Sequence, residues 1–573
     1  MLKKNINFLS IFTICLVVAF ILYYSQILDY GLPYFLNADE AASLKSTLYF
    51  YGFFSGANQN IVEPIYGPFF NFLISGFLLI LENIFILNFS FSDLSSFVYF
   101  NPDILINKIR FASLITSAFS LFLIYLILKK LKIDKIISTI VLLSIATSYF
   151  FFDLSIVIGK NSYLLFFFLI QYYFFLKYIT KIHKFNFESY ILFAIIASIG
   201  WGINYWCATP GIYSILILHF LKYKFTKINR LLIFGIIFFI FGILANFLIS
   251  SDNIFSHFYN PNFLDVYYET TNRFKVFFID LKESLDIFLI FEKTILILLI
   301  ISIFFLKNLN ITQKKIFFST LFFSVEPAIL FALADYSDTQ LRYFGTSITL
   351  IHILIALMIS NIIKKSSKLK KNSILIIFVL IFATSISYKI SDINTSKKII
   401  SKTYNQYNPI NDFKNNDRTL FFFTNMIKRE NIKSLDFYRQ LINEGIIVLN
   451  PAADGKNDLS QIKHKKEMYK NVTNPKVLPI NHNFSNLGGE FLIQNNDKFI
   501  FEIKKNFDFV VVEKDALQYR KLLANEFEVF KVYDSDNLKF ARNLTTRLRN
   551  YKEIKHLKFV GPKILVYKKI KSQ

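Results

Sequence analysis

The sequence predicts a mainly α-helical protein that crosses a membrane many times, followed by a C-terminal α/β region. Hydrophobic residues make up 54% of the 573 residues, and Phe alone contributes 70 of them. A soluble core cannot bury this much apolar surface. Apolar runs recur as far as residue 390, and short clusters of Lys separate them. These observations together indicate an integral membrane protein.

The first apolar run, 8–28, follows Lys3 and Lys4. It is longer than the apolar part of a secretory signal, and no small-x-small cleavage site follows it. We interpret it as an uncleaved anchor with a cytoplasmic N-terminus. Further spans are predicted at 107–128, 136–152, 160–177, 188–206, 209–222, 230–250, 287–306, 316–333, 341–363 and 373–390.

Positive charge between the spans sets the predicted orientation. Basic clusters occur at 129–135, 177–184, 222–230, 307–315 and 364–371. All of them belong in the cytoplasm according to the positive-inside rule. A further apolar stretch, 66–87, would reverse this arrangement if it crossed, so we predict a re-entrant or interfacial helix there. The prediction is then about eleven crossings, with residues 1–391 forming the membrane domain.

The tail, 392–573, is polar and is expected outside the cytoplasm. It contains β-like runs at 445–449, 507–512, 527–532 and 563–567, which alternate with helical stretches at 434–444, 515–527 and 537–550. This alternation predicts a small periplasmic α/β domain. Leu487-Gly-Gly489 lacks the context of a phosphate-binding loop. The high content of Phe, Ile, Lys and Asn suggests an AT-rich genome and hence a bacterial inner membrane.

Composition excludes several classes of function. The net charge is +24, but Lys and Arg form no stripe beside stacking aromatic residues, so we expect no nucleic-acid partner. Cys15 and Cys207 are the two cysteines, which excludes a disulfide framework and a Cys-based metal site. Asp534-Ser-Asp536 matches a metal-binding motif in letters, but its surroundings are those of an ordinary turn. We expect no metal and no cofactor.

Candidate chemical groups lie in the predicted outward segments, 29–106 and 251–286. The first contains the adjacent acids Asp39 and Glu40, and then Glu63, which precedes Pro64 at the start of the predicted interfacial helix. Arg110 opens the next span, and Gln340-Leu-Arg342-Tyr343 opens a late one. An interfacial carboxylate that is partly desolvated gains proton affinity and is suited to act as a general base.

This order of motifs resembles the GT-C class of glycosyltransferases, specifically the superfamily of protein O-mannosyltransferases and 4-amino-arabinose lipid A transferases. The resemblance covers roughly residues 8–363 in layout, through short motifs. It implies an enzyme that transfers a sugar from a polyprenyl-phosphate donor to a hydroxyl of a lipid, glycan or protein acceptor, with inversion. Membrane lipids are its other expected partners.

The resemblance also implies roles for single residues. Asp39 corresponds to the catalytic base, and Glu40 would orient the acceptor. Arg110 and Arg342, with Tyr343 beside the latter, would hold the lipid phosphate, and Lys160 is a weaker candidate. Two substrate-binding positions depart from the family pattern. Glu63 directly precedes Pro64 without the usual Lys, and Asn161 stands where mannosyltransferases have Asp, with Asp153 the nearest carboxylate.

Other interpretations of these residues stay open. Asp39 and Glu40 are also compatible with a solvated acidic loop, Glu63 with a helix cap, and Arg110 and Arg342 with interfacial anchors. Two other classes of function also remain. A surface-polysaccharide polymerase or ligase would use a large late loop, such as 251–286. A lipid or sugar transporter would place ionisable groups inside spans, where Glu292 and Glu326 are found.

Overall fold

A computed structural model provides the structure of the chain. It describes residues 8–26, 28, 73–74, 102–156, 161–203, 207–247, 273–333, 344–406, 418–422, 440–441, 444, 447–449, 491–493, 495–513, 521–533 and 564–570. The chain divides into two compact units, and the final division falls between Asn394 and Thr395.

The first unit is helical in its described parts. In chain order, its first described helices are α1 (Phe8–Ser25), α2 (Pro102–Lys130), α3 (Lys135–Ala146), α4 (Tyr149–Ile156), α5 (Asn161–Ile179), α6 (Phe187–Ile203), α7 (Thr209–Tyr223) and α8 (Asn229–Phe247). They are followed by α9 (Arg273–Ile303), α10 (Ile311–Leu333), α11 (Gly345–Lys365) and α12 (Lys368–Gln406).

Every predicted span coincides with one described helix or, at 136–152, with two, which confirms a helical protein with segments able to cross a membrane. Within the described ranges, five helical segments are long and apolar enough to do so: Phe8–Ser25, Asn107–Lys130, Asn161–Ile179, Gly345–Lys365 and Leu369–Ser391. The bent pair α3 and α4 would make a sixth. Helices α6 and α8 are apolar but shorter, so the prediction of about eleven crossings remains a prediction.

The structure corrects two boundaries. The predicted span 136–152 is broken after Ala146, and its two helices meet at 59°. The predicted loop 251–286 is helical from Arg273, since charged side chains that are unfavourable in a span do not prevent a helix from continuing. Helix α12 continues from the last predicted span, 373–390, to Gln406. The predicted interfacial helix 66–87 lies outside the described residues except for 73 and 74, which are helical.

Helix α11 forms the core of the first unit, since nearly all of its residues are buried. Neighbouring helices α3, α4, α9 and α10 pack against it. Polar contacts fasten it at its C-terminal half: Ser360 Oγ accepts a hydrogen bond of 3.2 Å from the Asp134 amide. Lys364 Nζ donates to the carbonyl of Lys132 at 2.7 Å. A buried central helix of this kind fixes the relative positions of the helices that pack around it.

The second unit contains a four-stranded sheet in the order β1-β4-β6-β5. Its strands are β1 (Thr419–Phe422), β4 (Phe509–Glu513), β5 (Phe527–Tyr533) and β6 (Ile564–Lys569). Strands β1 and β4 are parallel, and the other pairs are antiparallel. A separate antiparallel pair joins β2 (Ile447–Leu449) and β3 (Phe491–Ile493).

Helix α13 (Asn496–Asn506) precedes β4, and it buries Phe499 and Ile503 on one face. Strands β2, β4, β5 and β6 coincide with the four predicted β runs. The predicted helix 537–550 lies outside the described residues, as does most of 434–444. In the predicted helix 515–527, residues 521–523 are helical and Phe527 already begins β5.

Candidate functional site

Several predicted site residues lie outside the part of the chain that the structure describes. These are Asp39, Glu40, Glu63, Lys160, Arg342 and Tyr343. The structure describes Arg110 and Asn161 with their side chains, and it gives the backbone of Asp153 within α4.

Arg110 is fully buried in α2. Its Nη1 donates a hydrogen bond of 2.8 Å to the backbone carbonyl of Leu28. A buried guanidinium needs acceptors for its donors, since an unsatisfied buried charge is costly. Leu28 directly precedes the segment that contains Asp39 and Glu40. Arg110 therefore attaches α2 to Leu28.

Asn161 is the first residue of α5, and only 7% of its surface is exposed. Its Oδ1 has no hydrogen-bond partner among the described residues. A buried acceptor without a partner costs roughly 1–3 kcal/mol, so it is available for a donor on a ligand or a water. Asn161 thus offers a buried hydrogen-bond acceptor at the start of α5.

Helix α4 and the start of α11 are in direct contact. A Cβ at Gly345 would lie 2.5 Å from Leu154 Cδ2, so the absence of a side chain at 345 permits this approach. The ring of Phe288 in α9 stacks on Phe150 at 5.7 Å and contacts Phe344 edge to face at 4.8 Å. Asp153 precedes Leu154, and the predicted Arg342-Tyr343 pair precedes Phe344. Leu154 and Phe344, which are the sequence neighbours of two predicted site segments, therefore lie in one packed region.

One turn further along α9, Glu292 forms a buried ion pair with Lys389 of α12. Lys389 Nζ lies 2.7 Å from Glu292 Oε2, and the exposed fractions of the side chains are 5% and 0%. Ser148 Oγ, at the break between α3 and α4, donates a hydrogen bond of 2.6 Å to Glu292 Oε1. Glu292 has non-helical angles, φ −133° and ψ 31°, at a kink in α9.

The network continues to His352 in α11. Lys389 Nζ lies 3.2 Å from Ser144 Oγ, which lies 3.0 Å from His352 Nε2. His352 Nδ1 lies 2.8 Å from the carbonyl of Ile348, which can only accept, so Nδ1 donates this hydrogen bond. This network, made of Ser144, Ser148, Glu292, His352 and Lys389, joins α3, α9, α11 and α12.

Sequence reasoning noted Glu292 but missed Lys389 and His352. A signal was present, because Lys389 lies within the apolar run 373–390. A carboxylate inside an apolar bundle requires a compensating cation, and a lysine inside a span requires an anion. Pairing the two would have predicted that α9 and α12 are neighbours.

Glu326 is a second buried acid, located in α10 next to Pro327. It is hydrogen-bonded to the hydroxyl of Thr209 at the start of α7. Its Oε1 has no hydrogen-bond partner among the described residues. Within the described ranges, no group of three or more His, Cys, Asp or Glu side chains could hold a metal ion.

Comparison with known proteins finds no matching family model and no matching curated protein.

Proposed function

We propose that the protein is an integral membrane glycosyltransferase. It transfers one sugar from a polyprenyl-phosphate donor to a hydroxyl of a lipid, glycan or protein on the outer face of the membrane. The proposal derives from the resemblance of the Asp39-Glu40, Glu63-Pro64, Arg110 and Arg342-Tyr343 motifs to GT-C enzymes.

One observation supports the proposal furthest: helices that bear predicted site residues contact one another in pairs. Helix α4, with Asp153, contacts the start of α11. The middle of α2 contacts the first part of α5, since Thr116 is hydrogen-bonded to Tyr163 and the rings of Phe119 and Phe166 are 6.5 Å apart. Arg110 lies on α2 and Asn161 on α5, both N-terminal to these contacts. These two helix contacts are consistent with a shared site.

In the proposed reaction, Asp39 removes the proton of the acceptor hydroxyl. The acceptor oxygen attacks the anomeric carbon from the face opposite the phosphate, so the configuration inverts. The bond from the anomeric carbon to the phosphate oxygen breaks, and polyprenyl phosphate leaves with the bonding electrons. A cation near this oxygen stabilises the developing charge. Because Nη1 of Arg110 already binds Leu28, Arg342 is the better candidate for this contact.

The finer architecture belongs to the same proposal. It comprises about eleven crossings, a re-entrant helix at 66–87, a cytoplasmic N-terminus and a periplasmic α/β domain in a bacterial inner membrane. The coincidence of every predicted span with a helix supports it. A reporter fused after residue 132 is expected in the cytoplasm, and one fused after residue 400 is expected outside it. A crossing at 66–87 would exchange the two sides, so a reporter after residue 132 that lay outside the cytoplasm would refute the re-entrant assignment.

The reaction is tested with purified protein and a panel of polyprenyl-phosphate hexoses and pentoses. We expect release of polyprenyl phosphate from at least one donor and a product of the opposite anomeric configuration. Retention of configuration, or no release from any donor offered with lipid, glycan and protein acceptors, would contradict the proposal.

A transporter of lipid or sugar is the second candidate function, and the buried Glu292–Lys389 pair favours it. Ionisable groups inside a membrane bundle commonly mark substrate or ion pathways. The two functions predict different fates for a labelled donor in proteoliposomes. A transporter moves it across the bilayer intact, whereas the transferase separates the sugar from the polyprenyl phosphate.

A further inference from the structure

The turn between α7 and α8 gathers three cations around one aromatic ring. Measured to the centre of the Tyr223 ring, Lys222 Nζ lies at 5.2 Å, Lys227 Nζ at 4.9 Å and Arg230 Cζ at 5.0 Å. Arg230 Nη1 also donates a hydrogen bond of 2.8 Å to the Tyr223 hydroxyl. Within the described residues no carboxylate forms an ion pair with any of the three. This group, named here the Tyr223 cluster, concentrates positive charge with no carboxylate partner in the part of the chain that the structure describes.

The backbone of the turn that carries these cations is conformationally strained. Lys224 and Lys227 have φ angles of 53° and 59°, in the left-handed region that favours glycine. Each such residue costs roughly 1–2 kcal/mol relative to ordinary backbone conformations. The third described non-glycine residue with positive φ is Lys132, which is also in a turn of the basic clusters. Lysine at strained positions suggests that the side chain is needed there.

Lys222 also ties the cluster to the neighbouring turn. Its Nζ donates to the carbonyl of His183 at 3.0 Å and to that of Phe185. The Phe185 ring lies 6.5 Å from the Tyr223 ring. The turn that carries the cations is therefore hydrogen-bonded to the turn between α5 and α6. The cations need little conformational change to bind an anion.

Two exposed apolar side chains lie among these cations. Phe225 is 79% exposed and Ile228 is 56% exposed. Alternating apolar and basic residues at the end of membrane helices match the headgroup region of a bilayer. There the apolar groups enter the acyl boundary while Lys and Arg reach the phosphates.

We propose that the Tyr223 cluster binds the headgroup phosphate of an anionic phospholipid, with Phe225 and Ile228 inserted beside the acyl chains. The bound lipid places a negative charge among three crowded cations and covers two exposed apolar side chains. This inference concerns lipid recognition alone and does not depend on the glycosyltransferase proposal.

Native mass spectrometry of the purified full chain tests this site by titration with phosphatidylglycerol or phosphatidylcholine. Lys227→Gly is the sharpest variant, because it removes the charge while relieving the backbone strain. We expect it to unfold no earlier than wild type but to bind phosphatidylglycerol about fivefold more weakly. Lys227→Gln with Arg230→Gln is expected to weaken binding about thirtyfold.

The matched control is Lys314→Gln with Lys315→Gln, which removes two exposed cations at the start of α10. It is expected to bind phosphatidylglycerol as wild type does. An equal loss in the control would show that diffuse charge rather than the cluster attracts the lipid. Wild-type binding by Lys227→Gly would equally overturn the proposal.

A second pair of variants separates lipid from free phosphate. Phe225→Ser with Ile228→Ser leaves the cations in place, and we expect weaker binding of phosphatidylglycerol. Inorganic phosphate alone is expected to compete poorly with the lipid. Full displacement by inorganic phosphate, together with unchanged lipid binding by the serine variant, would assign the cluster to a soluble anion and refute the lipid site.

Discussion

Lys389 Nζ lies 2.7 Å from Glu292 Oε2, and both side chains are almost completely buried. This contact joins α12 to the kink in α9, and Ser148 extends it to the break between α3 and α4. A buried ion pair is costly to desolvate, so each charge depends on the other. The pair therefore fixes the region where α4 meets the start of α11.

Removing one partner of this pair should destabilise the protein strongly. Lys389→Met or Glu292→Met alone is expected to cost about 3–5 kcal/mol, because breaking a buried pair leaves its other member uncompensated. The double variant Glu292→Met with Lys389→Met should be closer to wild type than either single variant. Thermal unfolding in detergent measures all three.

Lys370→Met in the exposed first turn of α12 is the matched control and should leave the melting temperature unchanged. Losses that simply add in the double variant would show that Glu292 and Lys389 do not interact.

Glycine at 211 is predicted to be essential for the packing of α7. A Cβ there would overlap Gln171 Oε1 and lie 2.8 Å from Ala197 Cβ. Gln171 cannot move freely, since its Nε2 donates to the Cys207 carbonyl at 2.7 Å. Gly211→Ala should therefore lower stability by about 1–3 kcal/mol.

Gly235→Ala in α8 is the matched control, because a Cβ there meets nothing within 4 Å. It should be neutral or stabilising by up to about 1 kcal/mol, as alanine is the better helix former. The idea of close packing at 211 would fail if both alanine variants melted at the same temperature.

We predict that Arg110 stabilises the fold through its hydrogen bond to the Leu28 carbonyl, whether or not it also contacts a lipid phosphate. Arg110→Lys changes the geometry of the donors and should lower stability by about 1.5–3 kcal/mol, the value for hydrogen bonds of charged groups. Lys108→Met, two residues earlier, should have a smaller effect. If Arg110→Lys unfolded as wild type does but lost transfer activity, the contact with Leu28 would be unimportant.

The second unit carries a pH-dependent contact. Arg418 donates from Nε and Nη2 to both oxygens of Asp508, at 2.9 and 2.8 Å. These bonds lower the pKa of Asp508 below its usual value near 4. The pair thus contributes stability above the unfolded pKa, and this contribution is lost as pH falls through the folded one.

Thermal unfolding of wild type and Arg418→Gln across a pH series measures this contribution. The difference between the two proteins should be constant from about pH 5 to 8, should begin to shrink near pH 4, and should vanish once the pH is below the lowered pKa of folded Asp508. A difference that did not shrink at all as the pH fell from about 5 into acid would exclude the titration of Asp508 as its cause.

Apolar patterning predicted the helices and several strands well, because length and periodicity are local properties. Each predicted span coincides with a helix, and the runs at 509–513 and 564–569 form neighbouring strands. The break at 147–148 was missed because it depends on Ser148 meeting Glu292, which is 144 residues away. The hydrophobicity of a short stretch of sequence gives no information about a contact between residues this far apart.

The candidate site was predicted less completely than the fold. Asn161 is buried at the start of α5, and Arg110 is buried about two turns into α2. The hydrogen bond from Arg110 Nη1 to the Leu28 carbonyl is a tertiary contact that no motif encodes. Lys389 could have been found by asking which cation balances Glu292 within the apolar spans. The left-handed conformations of Lys224 and Lys227 could not have been predicted, because lysine occupies positions where glycine would be expected.

The central claim is that Asp39 acts as the base for transfer from a lipid-linked sugar, and one measurement tests it most directly. Purified wild type and Asp39→Asn are compared for the release of polyprenyl phosphate from the donor that the wild type accepts, with Asp93→Asn as the matched control. Loss of a general base should slow release about 10²–10⁴-fold in Asp39→Asn, while the control keeps its rate. Normal release by Asp39→Asn would contradict the account.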